Sequence, residues 1–353
     1  MIAALDATPL TLTSGGLARY VSELSAALAR QFPEDTYALL SDQPFELPLG
    51  SPSNLIAGPE APLSNADRRW WLRGVRKAMS AVRAQVFHGT NFEVPYLGSV
   101  PAILTIHDLS PWRDATWHGS GADRVRSRTP WLIRLRRARA ILTVSEAVRR
   151  EIMAHFGVPK EMVRAIPLAA SSAFYPVPET IAPPAPYFLF VGTLEPRKNL
   201  PALIDAWRET YNETGAELWI AGRRRADFKR MDELPGMKLL GEVPDAELPA
   251  LYSSALAFVY PSLYEGFGIP VLEAMQCGCP VITSNDPAIT EVSGDAVLHA
   301  ASAREIAQSM RILAADPARR KELRKRGFAR ARQYSWDLTA RRTRALYQEV
   351  AGG

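Results

Sequence analysis

Apolar positions along the chain alternate between short continuous runs and stripes of helical period. Ile2 to Leu5 is a short apolar run, Thr8 to Gly16 is a polar turn, and Val21, Leu24, Ala27 and Leu28 then mark one face of a helix from about Leu17 to Phe32. Further strands are predicted at Tyr37 to Leu40, Asn54 to Ala57, Val86 to His88, Ala102 to Ile106 and Ala140 to Val144, with helices between them. Ser145-Glu146 is a start signal for a helix reaching about Phe156. This alternation predicts an α/β fold with a doubly wound parallel sheet, whose ligands lie beyond the carboxyl ends of strands.

The pattern then breaks and restarts. Val177 to Pro186 is proline-rich, without apolar period, and reads as a linker; Tyr187 to Val191 is a fully apolar strand opening a second set. Leu218 to Ala221, Lys238 to Leu240 and Leu256 to Tyr260 continue it as strands, with later helices near Ser302 to Ala314 and Pro317 to Gln333 and a last one from Trp336. The domains expected are 1–176, a linker 177–186, a second domain 187–335 and a terminal helix 336–353.

The stretch from Ser262 to Asn285 carries the most pointed chemistry. Glu265 stands beside Gly266-Phe267-Gly268, whose glycines free the backbone to turn and approach a ligand. Pro270 suits the first helical position, and the helix runs on through Glu273 until Gly278 and Pro280 end it. A helix start after a glycine turn offers unpaired N–H groups and a positive dipole end to an anion, phosphate being the usual one. Glu265 and Glu273 are up to roughly 12 Å apart along a helix, about a diphosphate's reach. A carboxylate is repelled by phosphate, so hydroxyl recognition is the simplest role for each; two solvated helix-end glutamates are the plain alternative.

These residues resemble the retaining family-4 glycosyltransferases of the GT-B fold, in the mannosyltransferase-like group. The segment YEGFGIPVLEAMQCGCPVI matches the family's common pattern except that Ile269 and Gln276 stand for Leu and Ala. The resemblance spans nearly the whole chain and implies two Rossmann-like doubly wound domains facing each other across a cleft, with a C-terminal helix crossing back to the first. It implies Glu265 at the donor sugar, the amides around Gly266, Phe267, Gly268, Ile269, Val271 and Leu272 on sugar and diphosphate, and Glu273 on the ribose. Gly15 and Gly16, which alone read only as a flexible turn, would close the first strand-helix turn opposite the donor, near either the phosphates or the acceptor, with Arg19 a further candidate there. His107, in Thr105-Ile106-His107-Asp108, would face the donor sugar, with Asp108 as its support and His88 a weaker candidate.

In the second domain the resemblance places Gly192, Thr193 and Val243 near the nucleotide, and Arg197 and Lys198 at the departing diphosphate. Two cations there would neutralise the charge that grows as the glycosidic bond breaks. Thr193 occupies the position where relatives often have arginine, so Arg197 must supply the second charge or the diphosphate is held less strongly.

Composition narrows the partners. The 353 residues are 47% hydrophobic, ample for two cores, and carry a net charge of +5, which suits anionic ligands without naming one. Cys277 and Cys279, one glycine apart, favour neither a disulfide with each other nor a structural zinc. The chain has no D-x-D metal-nucleotide motif, so metal-independent transfer is expected, with no cofactor and no nucleic-acid partner. Without an apolar run long enough to cross a bilayer or a leader pattern, a cytoplasmic protein is expected. Asp67 to Arg83 has an apolar face flanked by Arg69, Arg73, Arg76, Lys77 and Arg83, which fits either a surface helix of its own domain or peripheral contact with an anionic inner membrane face.

The function expected is metal-independent transfer of a mannose- or glucose-like hexose from a nucleotide-diphosphate sugar, GDP- or UDP-linked, to a glycan or lipid-linked glycan in cell-surface polysaccharide synthesis. Two rivals stay open at this level. A glycosidase would use Glu265 and Glu273 as acid and base and would have no use for Arg197 and Lys198; a basic polyanion-binding protein would need neither glutamate.

Overall fold

The computed structural model describes residues 1–11, 15–48, 50–59, 70–114, 117, 121–178 and 185–352. They form two compact units. One comprises Met1–Arg113, Ser120–Leu168 and Ser335–Gly353; the other comprises Asp114–Gly119 and Ala169–Tyr334.

In the first unit β1 (Ile2–Asp6), β2 (Thr36–Leu40), β3 (Leu55–Ala57), β4 (Val86–Gly89), β5 (Ala102–Ile106), β6 (Ala140–Thr143) and β7 (Val163–Ala165) build one sheet in the order β3-β2-β1-β4-β5-β6-β7. Every pairing is parallel, and the central strands β4, β5 and β6 are buried throughout, which is why they read as continuous apolar runs. Strand order reverses between β1 and β4, the place where doubly wound sheets open a crevice at their carboxyl ends.

The helices follow from the stripes. α1 (Gly16–Gln31) buries Tyr20, Val21, Leu24, Ala27 and Leu28. A π-helical turn, Trp70–Gly74, leads into α2 (Val75–Ala81). Of the amphipathic segment expected from Asp67 to Arg83, residues 67–69 lie outside the described residues; Trp71, Val75, Ala78 and Met79 are buried in the unit's own core. α3 (Ser110–Arg113), α4 (Gly121–Arg134) and α5 (Glu146–Phe156) follow, with Ser145 capping α5 by accepting a hydrogen bond from Val148 N at 3.1 Å.

The second unit repeats the scheme. β8 (Tyr187–Val191), β9 (Glu217–Ala221), β10 (Met237–Gly241), β11 (Ala257–Tyr260), β12 (Val281–Thr283) and β13 (Leu298–His299) form a parallel sheet ordered β10-β9-β8-β11-β12-β13, with its switch between β8 and β11. Its helices are α6 (Leu200–Thr214), α7 (Leu248–Ser254), α8 (Ile269–Gln276), α9 (Pro287–Ser293), α10 (Ala303–Ala315) and α11 (Pro317–Ala331). The chain then returns to the first unit as α12 (Trp336–Gly352), which packs along α1.

A hydrogen-bonded chain fixes that last helix. His88, wholly buried at the end of β4, meets Tyr347 OH of α12 through Nδ1 and Thr105 Oγ1 of β5 through Nε2, both at 2.6 Å. Burial pushes its pKa down to about 3, so the imidazole is neutral. His88 is therefore a tie between sheet and helix, not the ligand-facing residue that its strand-end position suggests. Among the described residues no helix is long and apolar enough to cross a membrane.

Candidate functional site

The site in the second unit grows from the ends of β8 and β11, the two strands flanking the switch point. β8 ends at Gly192, whose φ of 153° allows a turn in which Gly222 comes so close that a Cβ there would stand 1.9 Å from Gly192 O. Thr193 is half-buried in the turn; Pro196–Lys198 is one turn of 3-10 helix, and Asn199 takes the left-handed conformation (φ 54°) at the start of α6. Arg197 and Lys198 are thereby held rigidly at the strand end.

Both reach Glu265, which follows β11. Lys198 Nζ lies 2.5 Å from Glu265 Oε1, and Arg197 Nη1 lies 2.8 Å from Oε2. Lys198 Nζ also donates to Tyr260 OH at 2.5 Å, and Tyr260 OH donates to Glu265 Oε1 at 2.9 Å. Lys198 is 5% exposed and Glu265 7%. Burial alone would raise the Glu265 pKa; Arg197 and Lys198 overcome it and hold the carboxyl down to about 2. The Lys198 ammonium is pushed below its ordinary value, first by burial and then by Arg197, with Glu265 opposing.

Other partners complete this corner. Glu195 Oε1 takes Arg197 Nε at 2.6 Å, and Asp286 accepts from Glu265 N at 3.3 Å while capping α9 through Ala288 N and Ile289 N. Asp286 is raised to about 6 by burial, with Glu265 adding repulsion. Trp117 stacks on Tyr264, next to Glu265, with ring centroids 6.0 Å apart. Sequence reasoning missed Tyr260, Glu195, Asp286 and Trp117. Asp286-Pro287 carried a helix-start signature, but nothing in the sequence tied it to Glu265.

Gly268 is the N-cap of α8 with φ 96° and ψ 47°, so Ile269 rather than Pro270 is the first helical residue. Gly266, Phe267 and Gly268 are buried at this corner, and Phe267 packs edge-on against Tyr334. Val271 and Leu272 face the core. Glu273 is 1% exposed and takes a 3.4 Å hydrogen bond from Tyr252 OH. The two glutamates thus differ in kind: Glu265 is clamped by cations, Glu273 is packed beside a tyrosine inside the helix. Val243 lies half-buried in the turn after β10, by the end of β9.

In the first unit His107 directly follows β5 and its Nε2 lies 2.8 Å from Thr90 O. A carbonyl only accepts, so Nε2 carries the proton and Nδ1 is left as an acceptor while the ring is neutral. Burial holds the His107 pKa below its ordinary value, and Tyr20 packs edge-on at 4.9 Å. Asp108, two residues before the start of α3, accepts from Ser110 N at 2.8 Å and from Ser110 Oγ at 2.5 Å. Gly15 (φ 125°) caps α1, and both it and Gly16 are exposed, with no atom of the described residues within 4 Å of where a Cβ would be, apart from their chain neighbours and the nearby backbone of α1.

Two doubly wound parallel units, with a cation-clamped glutamate at the switch point of the second, define the class of GT-B glycosyltransferases. Sequence comparison agrees. The profile of "Glycosyltransferase Family 4" matches residues 14–171 and that of "Glycosyl transferases group 1" matches residues 173–330. The chain is 36% identical to the O-antigen chain mannosyltransferase B of Escherichia coli over 298 residues, 77% of this chain and 76% of that one. Among solved structures, sucrose-phosphate synthase from Thermosynechococcus elongatus superposes with a TM-score of 0.76 over 99% of both chains at 20% identity. Anabaena HepE in complex with UDP and glucose superposes at 0.70 over 98% of both chains at 16% identity. The chain belongs to the family-4 glycosyltransferases, in their mannosyltransferase-like group.

Proposed function

We propose that this glycosyltransferase moves a hexose, mannose in the first instance, from a nucleotide-diphosphate sugar to a glycan hydroxyl in the synthesis of a surface polysaccharide, with retention of configuration and without a metal. The observation that carries the reading is the Arg197–Glu265–Lys198 cluster beside the N-terminus of α8. The bacterial relative is named for adding mannose to O-antigen chains, and HepE holds UDP and glucose; both support the substrate class.

In this reading the diphosphate lies along the amides that open α8, from Gly268 to Leu272, where N–H groups and the helix dipole favour an anion. Gly192 and Thr193 flank it, and Gly15 and Gly16 present an uncrowded backbone to the donor. Arg197 and Lys198 take up the charge that develops on the leaving phosphate. Glu265 and His107 accept hydrogen bonds from the sugar hydroxyls, Glu273 holds the ribose, and main-chain atoms near Val243 meet the base. The acceptor oxygen bonds to the anomeric carbon on the face that the diphosphate leaves. Its proton passes to the departing phosphate oxygen, so no side chain need be a nucleophile. A carboxyl held near pKa 2 is a poor general acid at neutral pH, which speaks against Glu265 as the general acid of a glycosidase.

The test is a transfer assay with GDP- and UDP-hexoses and a mannoside acceptor in the presence of EDTA, reading the anomeric configuration of the product by NMR. Glu265→Gln is expected to lower turnover by about 10²–10³-fold, the usual loss for one preorganised electrostatic partner. An inverted product, activity that EDTA abolishes, or an unchanged Glu265→Gln rate each overturns the corresponding part.

A further inference from the structure

His299 lies outside the Arg197–Glu265–Lys198 cluster yet is tied to it. It ends β13, the edge strand of the second sheet, half-buried, and pairs with Thr283 of β12. Its Nδ1 lies 3.1 Å from Ser284 O and its Nε2 lies 3.1 Å from Gly294 O. Both partners are main-chain carbonyls, and a carbonyl only accepts. A neutral imidazole carries one N–H and satisfies one of them; an imidazolium carries two and satisfies both. The geometry therefore fits the protonated ring, on the one side chain whose ordinary titration falls between pH 5 and 8.

The two carbonyls bracket α9. Ser284 precedes that helix, and Gly294 closes it with a φ of 57°, which favours glycine. The bracketed segment supports the donor corner at three points. Ser284 N reaches Tyr260 O at 3.4 Å, Ser284 Oγ donates to Ser262 O at 2.6 Å, and Asp286, while capping α9, accepts from Glu265 N at 3.3 Å. One ring thus grips both ends of the element that braces the backbone of Tyr260, Ser262 and Glu265. Release of either end loosens the support under Glu265.

The charged groups packed around the ring's partners come from several elements. β12 brings none. Asp286, Glu291 and Asp295 stand on α9 and its flanks. Glu305 of α10 accepts from Ala301 N at 2.5 Å. From α11 come Arg326, 3.6 Å from Asp295 Oδ2, and Arg330, which donates to Val292 O at 2.7 Å and whose Nε is 3.5 Å from where a Cβ on Gly294 would stand. Tyr334 OH meets Glu291 O at 3.3 Å. Carboxylates and guanidiniums both surround the segment, while the ring's own nitrogens are taken by the two carbonyls.

We propose that His299 is a positioning residue: its imidazolium clamps α9 by both ends, which holds Asp286 and the Glu265 backbone in register for the donor, and loss of the proton opens the clamp on one side. Donor use therefore weakens as pH rises through the titration of this ring. Asp286 acts in the opposite sense, since its carboxylate caps α9 when ionised. The proposal rests on the glycosyltransferase reading and adds a control to it.

The test is kcat/KM for the GDP- or UDP-hexose between pH 6 and 8.5. Asp286 is raised to about 6 and Lys198 is pushed below its ordinary value, so the readout is the ratio of wild type to His299→Gln, in which those groups cancel. A glutamine has one amide nitrogen and reaches one carbonyl, as the neutral ring does. The ratio is expected to be about three- to tenfold at pH 6, the worth of one hydrogen bond, and to fall to about one at pH 8.5. A ratio that stays the same across the range, as a purely structural histidine gives, overturns the proposal. Nitrogen-15 NMR of the full chain labelled in histidine reads the ring without turnover. His299, identified by its absence from the spectra of His299→Gln and His299→Asn, is expected to show two ring N–H groups at pH 6 and one at pH 8.5. A single N–H at pH 6 overturns the clamp whatever the activity. Titration of the ring as expected, with no transfer from any donor, upholds the clamp and overturns the functional reading instead.

Discussion

Lys198 and Glu265 are 67 residues apart in sequence and 2.5 Å apart in the structure. Sequence reasoning gave each a job facing a ligand, the cations toward diphosphate and the glutamate toward sugar, because spacing within one strand-helix turn is legible and pairing between two turns is not. The same holds for Tyr260, which reads as one more apolar strand residue yet bridges both charges. The cluster has an energetic corollary. Glu265→Ala leaves the buried Lys198 ammonium without its carboxylate and beside Arg197, which keeps Glu195, and removing one partner of a buried pair costs about 3–5 kcal/mol. Urea unfolding is expected to show that loss, and the double variant Glu265→Ala, Lys198→Met to recover at least half of it. Asp6 gives a pH signature. Burial raises its pKa to about 6, above the unfolded value of about 3.9. Between those values the folded state holds the extra proton, so the Asp6 contribution erodes stability as pH rises through this window and the loss is complete above pH 6. Asp6→Asn removes that slope, so its melting temperature is expected to fall less than that of the wild type between pH 4.5 and 7.5.

Elements were legible in proportion to their burial. The central strands emerged from apolar runs within a residue or two of their ends; Leu256 falls outside β11 although its N–H still pairs with Tyr187 O at 2.9 Å. The edge strands β7, of three residues, and β13, of two, passed unseen, because so short a strand has no period of its own and exists by pairing with β6 and β12. α9 was missed for a similar reason: seven residues hold too little pattern to stand out. The glycines of α8 were visible as breakers, and the structure adds what each one does. Gly268 holds a left-handed N-cap, whereas Gly278 (φ 76°) closes the helix where a Cβ would come 2.7 Å from Phe328 Cζ. Gly268→Ala is expected to cost about 1–2 kcal/mol from backbone strain alone. Gly278→Ala adds overpacking and is expected to cost about 1–3 kcal/mol more. Chemical denaturation of both variants checks the order, with Gly278→Ala the less stable.

At the scale of the molecule, doubly wound topology and its repetition were readable from the alternation of runs and stripes, and the YEGFG segment made the family readable. The anchoring of α12 was not derivable from pattern, since it depends on His88 meeting Tyr347 across 259 residues of sequence. Tyr347→Phe leaves His88 Nδ1 without a partner and is expected to cost about 1–3 kcal/mol. Deleting residues 335–353 should strip hydrogen-exchange protection from α1 and β4, while the second unit keeps its nucleotide-induced thermal shift; loss of that shift would show that the second unit does not stand alone. The composition of the first unit also orders events on the ribosome. Domains generally complete as their residues emerge, but this unit takes its closing helix from the last stretch of the chain. The second unit, continuous from Ala169 to Tyr334 but for Asp114–Gly119, has nearly all its parts earlier. A nascent chain therefore carries a finished second unit while Tyr20 and the His88 ring still await Trp336 and Tyr347. Synthesis that stalls near residue 334 would leave the earlier-made half as the less finished one.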